Sequence, residues 1–163
     1  MSTDTTLSSN WCFYCSTTDT WDPSFLKKIK IETVEQFWSV YEKLPKESFH
    51  LGMFFLMRDT ISPTWEDERN RYGGCLSYKI HISDIYSIWE SLSIKMMITQ
   101  LTNESQDIEE TTINGISVSP KKGFCILKIW INDISKSNME LLLDDIPKLK
   151  NSDVMFTAFR DKK

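Results

Sequence analysis

Two apolar stripes at helical spacing divide a chain whose remaining apolar residues fall in short runs, and this alternation restricts the fold more than any composition does. Val34, Phe37, Trp38 and Tyr41 recur one and two turns apart, and Ile85, Ile88, Trp89, Leu92 and Met96 repeat the same period. The first stripe opens on Thr33-Val34-Glu35-Gln36, a capping box in which the Thr hydroxyl and the Gln side chain satisfy each other's free backbone N–H groups, and Pro45 closes it. The second predicts a helix from Ser83 to about Thr102, and Asn138 to Ile146 a third. Short aromatic or β-branched runs predict strands at 11–15, 26–31, 51–57, 76–82, 113–118, 124–131 and 154–159. Ser119-Pro120-Lys121-Lys122-Gly123 is a hairpin loop joining two of them. The order ββαββαββαβ implies an α+β fold, a curved antiparallel sheet with its three helices gathered on one face.

A chain of 163 residues, 40% hydrophobic and 26% charged, is long enough to bury a core as one domain over 11–163. Met1 to Asn10 is Ser/Thr-rich with Leu7 as its one apolar residue beyond Met1, and is expected to be a flexible arm. No run approaches the roughly 20 apolar residues that span a bilayer, and the N-terminus lacks a secretory pattern, so a cytoplasmic protein with reduced cysteines is expected. A net charge of −4 argues against gripping long nucleic acid through its phosphates. Lys121-Lys122 with Lys128 is the best local basic patch.

Catalytic chemistry is hard to find. His50 and His81 are the only imidazoles, neither adjoins a Gly-flanked nucleophile, and no glycine loop for phosphates precedes a helix, so the chain reads as a non-enzyme without cofactor. Cys12 and Cys15 have a zinc-like gap, but Cys75 and Cys125 form no second pair, and residues three apart on a strand point to opposite faces; packing cysteines and no metal are expected. The tryptophans are more informative. Trp11, Trp89 and Trp130 fit a core, whereas Trp21 and Trp65 sit in loops among polar and turn-forming residues. Two loop rings can clamp a flat base, and Glu66, directly after Trp65, offers two acceptor oxygens to the paired N–H donors of guanine. Methylation of guanine at N7 makes it cationic and favours the ring faces. The alternative for both rings is ordinary surface aromatics.

Thr33-Val34-Glu35-Gln36-Phe37-Trp38 and Ser62-Pro63-Thr64-Trp65-Glu66-Asp67-Glu68, the latter continuing to Asn70 and Gly73-Gly74, resemble two signatures of the eukaryotic translation initiation factor 4E family, and the similarity runs from about Trp11 to Phe159. The resemblance implies a curved sheet with three helices on its convex face. It implies that Trp21 and Trp65 sandwich a 7-methylguanosine cap, that Glu66 accepts from N1–H and the exocyclic amine, that Trp130 lies against the N7-methyl group, and that Asp59 stands near the pocket. For the cap phosphates the family places an Arg before the hairpin and a Lys after it. Here Lys121, Lys122 and Lys128 are the candidates, Lys128 sharing a strand face with Trp130; a solvated basic turn is the alternative for all three.

On the convex face the resemblance assigns Val34 and Trp38 to the helical motif of the scaffold factor 4G or of 4E-binding proteins, with Leu7 standing where the family has a further partner contact. Packing of Trp38 inward is the alternative. Glu90-Ser91 departs from the family's Leu-Glu at that surface. The expected function is that of a monomer that binds capped mRNA and recruits it to initiation through a scaffold. A cap-binding repressor that does not use that scaffold, or an interaction module that has lost the cap, are the alternatives.

Overall fold

The computed structural model of the chain describes residues 5–16, 27–44, 46–98, 113–137, 141, 143, 146–150 and 153–159. Seven strands, β1 (Thr6–Ser16), β2 (Lys27–Thr33), β3 (Met53–Arg58), β4 (Gly74–His81), β5 (Ile113–Pro120), β6 (Phe124–Ile131) and β7 (Met155–Ala158), and two helices, α1 (Val34–Glu42) and α2 (Ile85–Met97), follow the expected order. The strands form one curved sheet in the order β2-β1-β3-β5-β6-β4-β7, and every neighbouring pair is antiparallel.

Alternation along each strand divides the apolar residues between two clusters. Trp11 and Phe13 of β1, Phe54 and Leu56 of β3, Leu76 and Tyr78 of β4, and Leu127, Ile129 and Ile131 of β6 share the main core with Phe37 and Tyr41 of α1 and Ile85, Ile88, Trp89, Leu92 and Met96 of α2. The residues between them, Phe55, Met57, Cys75 and Trp130, gather on the opposite, concave face with Ile61 and Phe159. Both faces of the sheet therefore carry apolar weight, and one is left open to solvent at its rim.

The capping box forms as expected: Thr33 Oγ1 accepts from the Gln36 N–H at 3.1 Å and Gln36 Oε1 accepts from the Thr33 N–H at 3.2 Å. The arm expected over 1–10 needs correction from Thr5 onward. Thr6 pairs with Thr33, Leu7 is 8% exposed in the main core, and Ser9 Oγ accepts from Arg58 Nη1 at 3.0 Å. Thr5 adds a second cap to α1, its carbonyl accepting from the Val34 N–H at 3.0 Å and its own N–H donating to the Glu35 carboxylate at 2.7 Å. The Thr5 N–H, followed by the N–H of Glu35 itself, holds the Glu35 carboxyl below its ordinary range. A polar Ser/Thr composition is compatible with a strand when one apolar residue reaches the core and a neighbouring edge awaits pairing.

Arg58 completes this corner. Its guanidinium carbon lies 4.5 Å from the centre of the Trp11 ring, and Nε donates to the Ile113 carbonyl at 2.7 Å. Burial lowers its basicity to a pKa of about 10. The third helix also differs from expectation. Leu141 and Leu143 have no helical conformation, and Ile146 begins a turn through Lys148, whose φ is 68°; the other residues of that stretch lie outside the described ones, as do Leu26 and the tail of the second helix beyond Ile98. Leu141, Leu143, Ile146 and Leu149 are all buried in the main core, so these described apolar residues cover the sheet without being in helical conformation themselves. A 3-10 turn, Lys46–His50, which inserts Phe49 into the core, was not foreseen, and it delays β3 to Met53.

Leu7 distinguishes a docked strand from a loose arm. Leu7→Ala is expected to lower the unfolding free energy by about 2 kcal/mol or more in a urea titration, the range for truncating a buried leucine, whereas an arm would leave the midpoint unchanged.

Candidate functional site

The concave face holds a cavity of about 230 Å³ whose floor is β6 flanked by β5, β3 and β4. Lys128 and Trp130 stand two residues apart on β6 and point the same way, because Leu127, Ile129 and Ile131 point into the main core. Ser117 and Ser119 of β5 contribute hydroxyls from the neighbouring strand, and Met53, Phe55 and Cys75 supply the apolar remainder. Ser117 is directly opposite Lys128 across the ladder.

Trp130 is fixed on several sides. Its Nε1–H donates to Ser117 Oγ at 2.9 Å, its ring centre lies 5.1 Å from that of Phe159, and Phe55 meets it edge-on at 6.3 Å. At 7% exposure it is a wall of the cavity as well as part of the smaller core. Trp65 is its opposite in burial. It stands on the rim at 39% exposure, lining the cavity beside Pro63 and Thr64. The part of its indole left open to solvent is available to a flat ring, as an aromatic surface at the mouth of a cavity.

The loop that carries Trp65 is built by its own polar groups. Trp65 and Glu66 are the two central residues of a turn closed by the Asp67 N–H on the Thr64 carbonyl at 3.3 Å. The Asp67 carboxylate then accepts from the Ser62 and Arg69 N–H groups, each at 2.9 Å, and the Asp67 carbonyl accepts from Asn70 and Arg71. Gly73 and Gly74 return the loop to the sheet where a side chain cannot fit: a Cβ at Gly73 would overlap the Ile131 carbonyl, and one at Gly74 the Thr157 carbonyl. Glu66 is exposed, and no hydrogen bond or ion pair among the described residues occupies its carboxylate. The arrangement offers an exposed aromatic face, an exposed bidentate acceptor beside it and a cation on the floor. It can hold a flat ring with an N–H donor edge and an anionic tail.

The expected site residues separate into three groups. Trp65, Trp130 and Lys128 line the cavity, with Glu66 adjoining Trp65 in the same turn. Lys121 and Lys122 are exposed in the β5–β6 hairpin turn, outside the cavity lining; Lys121 N–H donates to the Phe124 carbonyl at 2.8 Å and Gly123 takes a φ of 77°. Asp59 is engaged elsewhere, 3.5 Å from Lys30 Nζ and accepting from Cys12 Sγ at 3.4 Å. That thiol contact, followed by Lys30, keeps the Asp59 carboxyl below its ordinary range, while burial raises the Cys12 thiol to about 11. Trp21 lies outside the described residues. Ser117, Ser119 and Phe159 were not foreseen as site residues. The two serines left a signal, since they alternate with Ile116 and Val118 along β5; Phe159 left none, because it reaches the cavity from the far edge of the sheet.

On the helix side a second concavity, about 290 Å³, lies between Trp38 of α1, Glu90, Ser91, Ile94 and Lys95 of α2, and Ile98 and Ile146 beyond it. Trp38 is half-buried, its ring 5.6 Å from Phe37 and 5.8 Å from Tyr41, both edge-on. Val34 is half-buried against the main core and does not line this groove. Leu7, expected on the partner surface, is inside the core, because its strand pairs with β2. Cys12 and Cys15 occupy opposite faces of β1, and the described residues include no cluster of three metal-ligating side chains.

The model of the family described as eukaryotic initiation factor 4E matches residues 6–161. The eukaryotic translation initiation factor 4E of Candida albicans is 25% identical over 156 residues, covering 88% of this chain and 72% of that protein. The Saccharomyces cerevisiae factor is 26% identical over 123 residues, 72% of this chain and 55% of that protein. Among solved structures, Caenorhabditis elegans eIF4E-3 in complex with the 4E-binding protein Mextli superposes with a TM-score of 0.79 at 21% identity, covering 98% of this chain and 96% of the other. Ascaris suum eIF4E-3 in complex with an m2,2,7G cap gives a TM-score of 0.70 at 24% identity over 82% of this chain and 76% of the other. With the sheet order and the two signature segments in place, the chain belongs to the eukaryotic initiation factor 4E family.

Proposed function

We propose that this protein binds the 7-methylguanosine 5' cap of mRNA in its concave cavity and docks a helical segment of an initiation scaffold on its helix side, acting as a cytoplasmic monomer that delivers capped mRNA to translation initiation. The observation that carries the reading is the exposed Trp65 ring at the rim of a cavity walled by the fixed Trp130, with the exposed Glu66 carboxylate next in the chain. A cationic methylated base stacks on Trp65, and Trp21 supplies the second ring of the clamp. Stacking contributes about 1–3 kcal/mol per base, and the edge of guanine adds two charge-assisted hydrogen bonds to Glu66. Trp130 faces the N7-methyl group. Lys128, on the cavity floor, meets the phosphate chain, with Lys121 and Lys122 farther out on the hairpin. Asp59 has no part in this reading, since Lys30 and Cys12 hold it outside the lining.

On the other side, the half-buried Trp38 with Ile94 and Ile98 provides an apolar floor for helix-in-groove recognition. Glu90 and Lys95 place both signs of charge along the same groove, and this favours a second reading, a cap-binding repressor whose partner differs from the usual scaffold.

Titration with a 7-methylguanosine triphosphate, followed by tryptophan quenching, tests the first reading directly. Saturable quenching that GTP does not match supports it, and an equal response to both nucleotides overturns it. Trp65→Ala and Glu66→Ala are each expected to weaken binding by about tenfold to a hundredfold. Lys128→Ala is expected to flatten the dependence of that affinity on salt, because one phosphate contact is removed, while the preference for the methylated base is retained. Trp38→Ala should leave nucleotide affinity within about twofold and abolish capture of a scaffold-type helical peptide. A wild-type protein that binds the nucleotide but not that peptide points to the repressor reading.

A further inference from the structure

Asn114 is a buried polar side chain, 3% exposed, near the start of β5, and its hydrogen bonds leave the sheet altogether. Nδ2 donates to Asn70 Oδ1 at 2.8 Å and to the Arg69 carbonyl at 2.9 Å. Asn70 is fully buried, and its own Nδ2 donates to the Ser62 carbonyl at 2.9 Å and the Thr64 carbonyl at 2.8 Å. We propose that Asn114 is a positioning residue for base recognition: its amide orients Asn70, and Asn70 in turn holds the Trp65–Glu66 turn at a fixed height over the cavity.

The direction of each bond makes the relay specific. Because Asn70 Oδ1 is taken by Asn114, the Asn70 amide can only turn its N–H groups toward the loop, where Ser62 and Thr64 present carbonyls. Thr64 is the first residue of the turn that has Trp65 and Glu66 at its centre, and Asp67, which holds the Ser62 and Arg69 N–H groups, is the last. Both ends of the turn are thus pinned, the first through Asn114. The other end of the relay is equally defined. Gly115, the next residue, lies opposite both Met57 and Trp130, so the strand that anchors the loop also registers with the wall of the cavity. A single side chain therefore ties the exposed ring to the buried one. Such ties matter for affinity because a base is captured most tightly when the ring and the carboxylate need no ordering on binding.

The inference rests on the reading of Trp65 and Glu66 as the base-recognising pair, and its test separates the two. Asn114→Leu keeps the branched shape of the side chain and removes the donors; Asn114→Ser is the companion variant, smaller, should the bulkier leucine fail to fold. Amide hydrogen exchange is compared with wild type without nucleotide, and affinity for the 7-methylguanosine triphosphate is then measured. The expected result is exchange at least about tenfold faster across 62–72, unchanged exchange in the β6 strand amides, and an affinity about tenfold weaker. Unchanged loop exchange overturns the proposal, as does faster exchange spread evenly over the strands, which would mark a purely structural asparagine. Faster loop exchange with affinity kept within about twofold overturns it as well. If wild type fails to bind the nucleotide, cap recognition falls, and the exchange comparison still decides whether Asn114 holds the loop.

Discussion

The site depends on the alternation of β6 between two apolar faces. Leu127, Ile129 and Ile131 are withdrawn from water into the core beneath the helices, and this obliges Lys128 and Trp130 to face the other way. Both neighbours, β4 and β5, pair with β6 through this stretch, so a slip of one residue would move three aliphatic side chains into the open and bury a lysine. Burial of each aliphatic chain is worth about 1.5–3 kcal/mol, far more than any rearrangement of the cavity could recover. Register here is an energetic necessity of the core, and the cavity inherits it.

A rigid floor does not by itself place a ring at the rim. That falls to the loop between β3 and β4, which is anchored by the buried Ile61 and Pro63 and surrounds Asp67 and Asn70 with its own backbone groups. The polar hub satisfies carbonyls and amides that a compact loop would otherwise bury unpaired, and it leaves Trp65 and Glu66 exposed at the rim. The division of labour is physical. Apolar burial secures the wall, and directional hydrogen bonds secure the rim and the turn that carries its exposed aromatic face.

The helix side follows a different logic. Trp38 divides its surface between the packing of Phe37 and Tyr41 and an open groove, so it is neither a core residue nor a loose surface ring. Family membership covers nearly the whole chain, yet the groove wall carries Glu90 and Ser91, and the residue expected to extend the surface toward the N-terminus, Leu7, is consumed by the core. The concave side and the helix side of one sheet are thus free to diverge separately, since the main core lies between them.

Features set by near neighbours were legible in the sequence alone. The element order, the Thr33–Gln36 capping box, the two helical stripes, the shared face of Lys128 and Trp130 and the adjacency of Trp65 and Glu66 all arise within a few residues, where periodicity and turn chemistry act. Features that depend on distant chain segments were decided only in three dimensions. Asp59 is drawn to Lys30 and Cys12 across a β1 pairing, Leu7 is buried because β2 offers an edge, and Leu141, Leu143 and Ile146 reach the core without helical conformation at those residues, within the span 138–146 where a helix was expected. The same holds for Ser117 beneath the Trp130 indole and for Asn114, 44 residues from the asparagine it orients. Local spacing encodes which way a side chain points; which partner waits there is settled by strand pairing, whose energy is collected only when remote segments meet.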